Sequence, residues 1–175
     1  MTYELYFRTR QVDRKISVDQ FADYWRSRPG GEVCEDEPCE AGYSSEATGG
    51  GFGITYYDES KLTWLPGTTE TEKEEARKFA SLEMNYFFGQ EQYEKIAEEV
   101  AAFVKHFDLI VSDPQTEWGV YSEYDPQKTF RITQQVNEEF KNAIDEGRII
   151  PLVGECLRKS KSSSWLDQLR ARFFR

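Results

Sequence analysis

Tyr3, Leu5 and Phe7 alternate with Glu4, Tyr6 and Arg8. A period of two marks a strand with one buried face, so Tyr3–Thr9 is expected to be the first strand. Ser17 then opens SVDQFADYWRSR, with Gln20 three residues on as a capping-box partner and Val18, Phe21, Ala22 and Trp25 along one helical face. Pro29, Gly30 and Gly31 stop that helix. Glu32 to Glu40 has no periodicity and is expected to be a loop, after which Glu40–Glu46 and Phe52–Tyr57 bracket Thr48, Gly49 and Gly50 as the arms of a hairpin. Leu65–Glu75, polar and containing Pro66-Gly67, is expected on the surface as a loop.

Phe79 to Phe88 again alternates, with Ala80, Leu82, Met84, Tyr86 and Phe88 on one side, and is expected to be a strand. Gln90–Phe107 is the clearest helix, because Tyr93, Ile96, Val100, Phe103, Val104 and Phe107 follow the i, i+3, i+4 rule. Leu109–Val111 reads as a short buried strand ended by Asp113-Pro114. Asp125 before Pro126 is an N-cap signature for a helix that starts there or after TFRIT and stops at Gly147. Ser164 caps a last segment with Trp165, Leu166, Leu169 and Phe173 on one side.

This order predicts an α+β fold: a single-layer antiparallel or mixed sheet of about five strands, with helices packed on it. A chain of 175 residues suits one domain, 1–175, with 158–175 as a basic amphipathic C-terminal helix. The first residues lack the apolar region of a secretory signal, and no run reaches membrane-spanning length, so a cytoplasmic protein without a membrane partner is expected. Cys34, Cys39 and Cys156 fit reduced thiols better than a disulfide framework.

Charge changes this picture. The net charge is -10, and Pro29–Ser60 contains no Lys or Arg while Glu32, Glu35, Asp36, Glu37, Glu40, Glu46, Asp58 and Glu59 are all negative. Residues 158–175 carry +5 against -15 for the rest. An acidic surface argues against nucleic acid as a ligand, since binding a polyanion depends on Lys and Arg displacing counterions.

Candidate chemistry is sparse. The glycines of ATGGGFGITYY lack the third position of a dinucleotide fingerprint and lead into a strand rather than a helix, so they read as a turn. Cys34 and Cys39 have no nearby His or Cys to complete a zinc site. His106 is the only histidine and sits near a helix C-terminus, where it complements the dipole. No catalytic set, metal site or cofactor motif emerges. Aromatic residues make up 15% of the chain, and Tyr43, Tyr56, Tyr57 and Trp64 lie within or beside the base-free acidic region. Such rings either stack on their own sheet or, framed by carboxylates, grip a basic partner.

The pieces YELYFRT, EATGGGFGITYY, MNYFF and FDLIVSDPQ, in that order, resemble a pattern of uncharacterised small bacterial proteins over about Tyr3 to Gln115. The resemblance implies a bacterial, stand-alone domain and brings no activity or functional residue with it.

The resulting expectation is a cytosolic acidic binding protein of the immunity or antitoxin type rather than an enzyme. It would neutralise a basic toxin or other basic protein through Glu35, Asp36, Glu37, Tyr43, Tyr56, Tyr57, Asp58, Glu59 and Trp64. Two alternatives stand beside it: a carboxylate-based hydrolase or transferase, with or without a divalent cation, and an adaptor acting through the C-terminal helix. Partner identity and oligomeric state are not legible in the sequence.

Overall fold

The computed structural model describes residues 2–11, 13–58, 66–69, 72–73, 77–85, 88–116 and 120–146. The elements in chain order are β1 (Thr2–Thr9), α1 (Val18–Ser27), β2 (Gly31–Val33), β3 (Glu40–Ser44), β4 (Gly51–Tyr56), β5 (Ala80–Asn85), α2 (Gln90–Phe107), β6 (Leu109–Ser112) and α3 (Pro126–Asp145). Among the described residues the strands form one six-stranded sheet in the order β2-β3-β4-β5-β1-β6, and every neighbouring pair is antiparallel. The fold is α+β, as the alternation and helical spacing predict.

Two crossovers build it. β5 and β6 flank β1 and run parallel to each other, so α2, which joins them, crosses over β1. β1 and β2 also run the same way, and α1 spans the strands between them. The helices share the sheet face that Tyr3, Leu5 and Phe7 present, each at most 1% exposed. Phe103 of α2 is the centre of that layer, with ring centroids 5.4 Å from Phe7, 5.3 Å from Trp25 and 5.3 Å from Phe107. Burial of each such ring contributes about 1.5–3 kcal/mol, and aromatic pairing adds to it. α3 lies on α2 through Tyr93 and Phe130, 4.9 Å apart.

Local chemistry sets the ends. Ser17 Oγ accepts from Gln20 N–H at 3.2 Å while Ser17 N–H donates to Gln20 Oε1 at 2.9 Å, the reciprocal cap expected of α1. Asp125 Oδ1 accepts from the amides of Gln127 and Lys128, which starts α3 at Pro126 rather than after TFRIT. The glycine stretch is the bend of the β3–β4 hairpin: Gly49 has φ of 70°, and a Cβ on Gly50 would lie 3.0 Å from Cβ of Gln92, so the turn seats against α2.

Three expectations are corrected. Glu32–Glu40 is not wholly a loop, because Gly31–Val33 pairs with Ala41–Tyr43; three residues are too few to show a period, and the partner strand supplies the order. Within Leu65–Glu75, Glu72 and Lys73 lie on a helical turn capped by Thr69. The strand expected to reach Phe88 is described over Ala80–Asn85 and does not include Phe88, while Tyr86 and Phe87 lie outside the described residues. The expected helix over 158–175, the stop at Gly147 and Cys156 lie outside the described residues. No described helix is long and apolar enough to cross a membrane.

Candidate functional site

The β2–β3 connection puts Glu35, Asp36 and Glu37 in solvent at the end of the sheet where β1 and β4 finish. Cys34 N–H donates to Glu40 O at 2.9 Å and Glu40 N–H to Glu37 O at 2.8 Å, which folds the tip back on itself. The Glu40 carboxyl is held above the usual carboxylate range, first by burial and then by the adjacent Glu37 charge. The tip is anchored sideways, because Tyr56 N–H donates to Cys39 O at 2.7 Å. Tyr56, Tyr57 and Asp58 therefore follow directly beside the acidic turn, and the fold brings six of the sequence-predicted residues to one end.

Tyr56 and Tyr57 are both engaged within the chain. The Tyr56 hydroxyl donates to Ile16 O at 3.0 Å, and its ring packs on Phe21 and Phe79. The Tyr57 hydroxyl bonds Ser81 Oγ at 2.9 Å, and Lys78 Nζ lies 4.4 Å over its ring and 4.2 Å over that of Tyr6. Tyr56, Tyr57 and Asp58 also line a cleft of about 380 Å³ with Thr9, Asp13, Arg14, Lys15, Ile16, Arg77 and Phe79. Sequence reasoning missed these cations. They come from segments far along the chain, so the base-free stretch is free of bases in sequence but not in space. Among the described residues at this end, Glu35, Asp36 and Glu37 make an exposed acidic surface, with exposed Glu32 on the neighbouring strand.

Tyr43 is elsewhere: it is 6% exposed, opposite Phe52 on the helix-covered face, with their rings 5.4 Å apart. Glu59 and Trp64 lie outside the described residues. Among the described residues Cys34 and Cys39 form no disulfide, and both are half-buried. His106 is exposed in the last turn of α2, its ring 4.8 Å from that of Tyr24.

A second cluster lies at the opposite end of β1 and had no signal beyond its separate residues. The Tyr3 hydroxyl donates to Asp113, and the Tyr93 hydroxyl donates to Pro126 O at 2.7 Å. Burial pushes Tyr93 up to about 12 and raises Tyr3 and Tyr124 further. Asp113, Glu123, Asp125 and Thr129 line an adjoining cavity of about 450 Å³. Its carboxylates are already committed: Asp113 to Tyr3 and to Gln115 N–H, Asp125 to the first amides of α3, and Glu123 to Arg10 at 2.6 Å. The arrangement ties β1, β6 and α3 together. Among the described residues no group of three His, Cys, Asp or Glu side chains is placed to hold a metal ion.

Compared with family models, curated proteins and solved structures, the chain matches none, so its function is argued from its own residues.

Proposed function

We propose that the chain is an acidic binding protein of the immunity or antitoxin type, which neutralises a basic protein by covering it with the Glu35–Glu37 tip and the surface beside it. The observation that supports this reading is the tip itself. Three exposed carboxylates on a short turn, braced on β4 by the Cys39–Tyr56 hydrogen bond, form a fixed negative patch. A patch held in one geometry steers an oppositely charged partner and costs little ordering on binding. Because Lys78 already stacks on Tyr57, capture falls to the carboxylates rather than to the tyrosine rings.

The test is association with a panel of small, strongly basic proteins at low and high salt. Replacing Glu35, Asp36 and Glu37 together with Lys should slow association by about tenfold or more at low salt, within the span of electrostatic steering, and far less at about 0.5 M salt. Equal rates for wild type and variant at low salt would exclude the tip as the capture surface.

A further inference from the structure

The two edges of the sheet differ. At the β6 edge, Val111 and Ser122 exchange hydrogen bonds of 2.8 and 2.9 Å, so that edge is closed by a bridge. At the β2 edge, Ser44 N–H donates to Gly30 O at 2.8 Å and Cys34 N–H to Glu40 O at 2.9 Å, which places the backbone groups of Gly30, Glu32 and Cys34 toward β3. Antiparallel pairing alternates, so those of Gly31 and Val33 face outward. The Gly31 N–H is taken by Arg28 O at 2.9 Å. Val33 N–H and C=O make no hydrogen bond among the described residues.

We infer that the outer edge of β2 is a strand-addition site for an extended basic segment of the partner, and this rests on the acidic capture reading above. A strand laid beside β2 would exchange two hydrogen bonds with Val33 and give one to Gly31 O, which is the main-chain basis of strand addition. The side chains set its sequence. Val33 packs against the core on the helix side, so the residue facing it is apolar. Glu32 points to the other face and is exposed, so the residue facing it is Lys or Arg. The segment then runs on to Glu35, Asp36 and Glu37, which favour the same charge. A second copy of this chain fits less well, because it would bring its own Glu32 and its Glu35–Glu37 turn, all exposed and of like charge, to the same edge.

The probe is an alternating peptide, Arg-Val-Lys-Val-Arg-Val-Lys, beside the same peptide N-methylated at alternate residues, which keeps charge and shape but cannot pair. Affinity is measured by calorimetry, and Val33 N–H exchange by NMR. The plain peptide should bind roughly tenfold or more tightly than the methylated one, as expected when about three net hydrogen bonds are lost, and should protect Val33 N–H. Val33→Pro removes a donor that bonds nothing among the described residues; it should reduce the plain peptide to the affinity of the methylated one, whereas Val33→Ala, which loses the same packing against the core but keeps the N–H, should retain the preference for the plain peptide. Equal binding of both peptides with Val33 N–H unprotected overturns the inference, as does no binding of either. If both peptides bind equally and both are lost when Glu35, Asp36 and Glu37 become Lys, acidic capture stands and the edge fails. If the plain peptide pairs as tightly after that charge reversal, the edge stands and acidic capture fails.

Discussion

Tyr56 N–H donates to Cys39 O at 2.7 Å while the Tyr56 hydroxyl donates to Ile16 O at 3.0 Å, so one residue holds both the acidic tip and the segment leading into α1. The backbone bond survives any substitution except proline, whereas the hydroxyl bond does not. Tyr56→Phe should therefore leave the tip paired and free only the Ile16 side, at about 0.5–1.5 kcal/mol of stability. Urea denaturation gives the cost, and hydrogen exchange should show no change at Glu40 or Cys34.

Gly31 stands where α1 turns into β2, and a Cβ there would lie 2.1 Å from Trp25 O. That atom is backbone inside a capped helix, so relief requires β2 to move. Gly31→Ala should cost about 1–3 kcal/mol, the usual range for forcing atoms into a packed site, and should raise exchange at Glu32 and Gly42 ahead of the rest of the sheet. Global destabilisation with uniform exchange would mean that β2 and the core unfold together.

What was legible in the sequence follows from which residues carry their own period. β1, α1, α2 and the hairpin arms do, since Leu5, Trp25, Phe103 and Ile54 each recur with neighbours at strand or helix spacing and each is buried. β2 does not, because Gly31-Glu32-Val33 is ordered by pairing with β3 rather than by any pattern of its own. The acidic turn was legible as a composition shift. Its surroundings were not, since Arg14, Lys15, Arg77 and Lys78 reach Tyr56–Asp58 only through the fold. Tyr43 illustrates the same limit: it lies in an acidic segment, yet its place opposite Phe52 puts it in the core.

Phe103 touches both crossovers, packing on Trp25 of α1 and Phe7 of β1 and on Phe107 in its own helix. It is 1% exposed. Phe103→Ala should cost about 3–5 kcal/mol, the range for a buried aromatic whose cavity cannot fully collapse. A loss of less than about 1 kcal/mol in chemical denaturation, the scale of a surface change, would show that the surrounding rings close the gap.

The tyrosines around Asp113 make the protein sensitive to alkali. Burial raises Tyr3 and Tyr124 and pushes Tyr93 to about 12. A raised folded pKa gives stability that is present below the unfolded value of 10.0 and is lost as pH climbs through the folded value. Thermal melts between pH 9 and 12 should fall in midpoint, and Tyr93→Phe should flatten part of that fall. An identical pH profile for the variant would place the alkaline sensitivity elsewhere.

Glu40 gives the opposite end of the pH range. Its carboxyl is raised from 4.5, first by burial and second by Glu37, so the native state holds the proton more tightly than the unfolded chain. Stability from this group is therefore complete below the unfolded value and declines as pH rises through the folded one. Above both values the carboxylate is charged in both states and the native protein bears the full cost of its partial burial. Glu40→Gln removes the charge, keeps the shape, and should raise the melting temperature at pH 7 while leaving it unchanged at pH 3, where wild-type Glu40 is already protonated. Glu37→Gln should give a smaller rise at pH 7, because it removes the Glu37 charge but leaves burial, the largest cause, in place. A Glu40→Gln variant less stable than wild type at pH 7 would mean that the carboxylate gains more from its neighbours than it loses to burial, and the tip would then be held by charge rather than in spite of it.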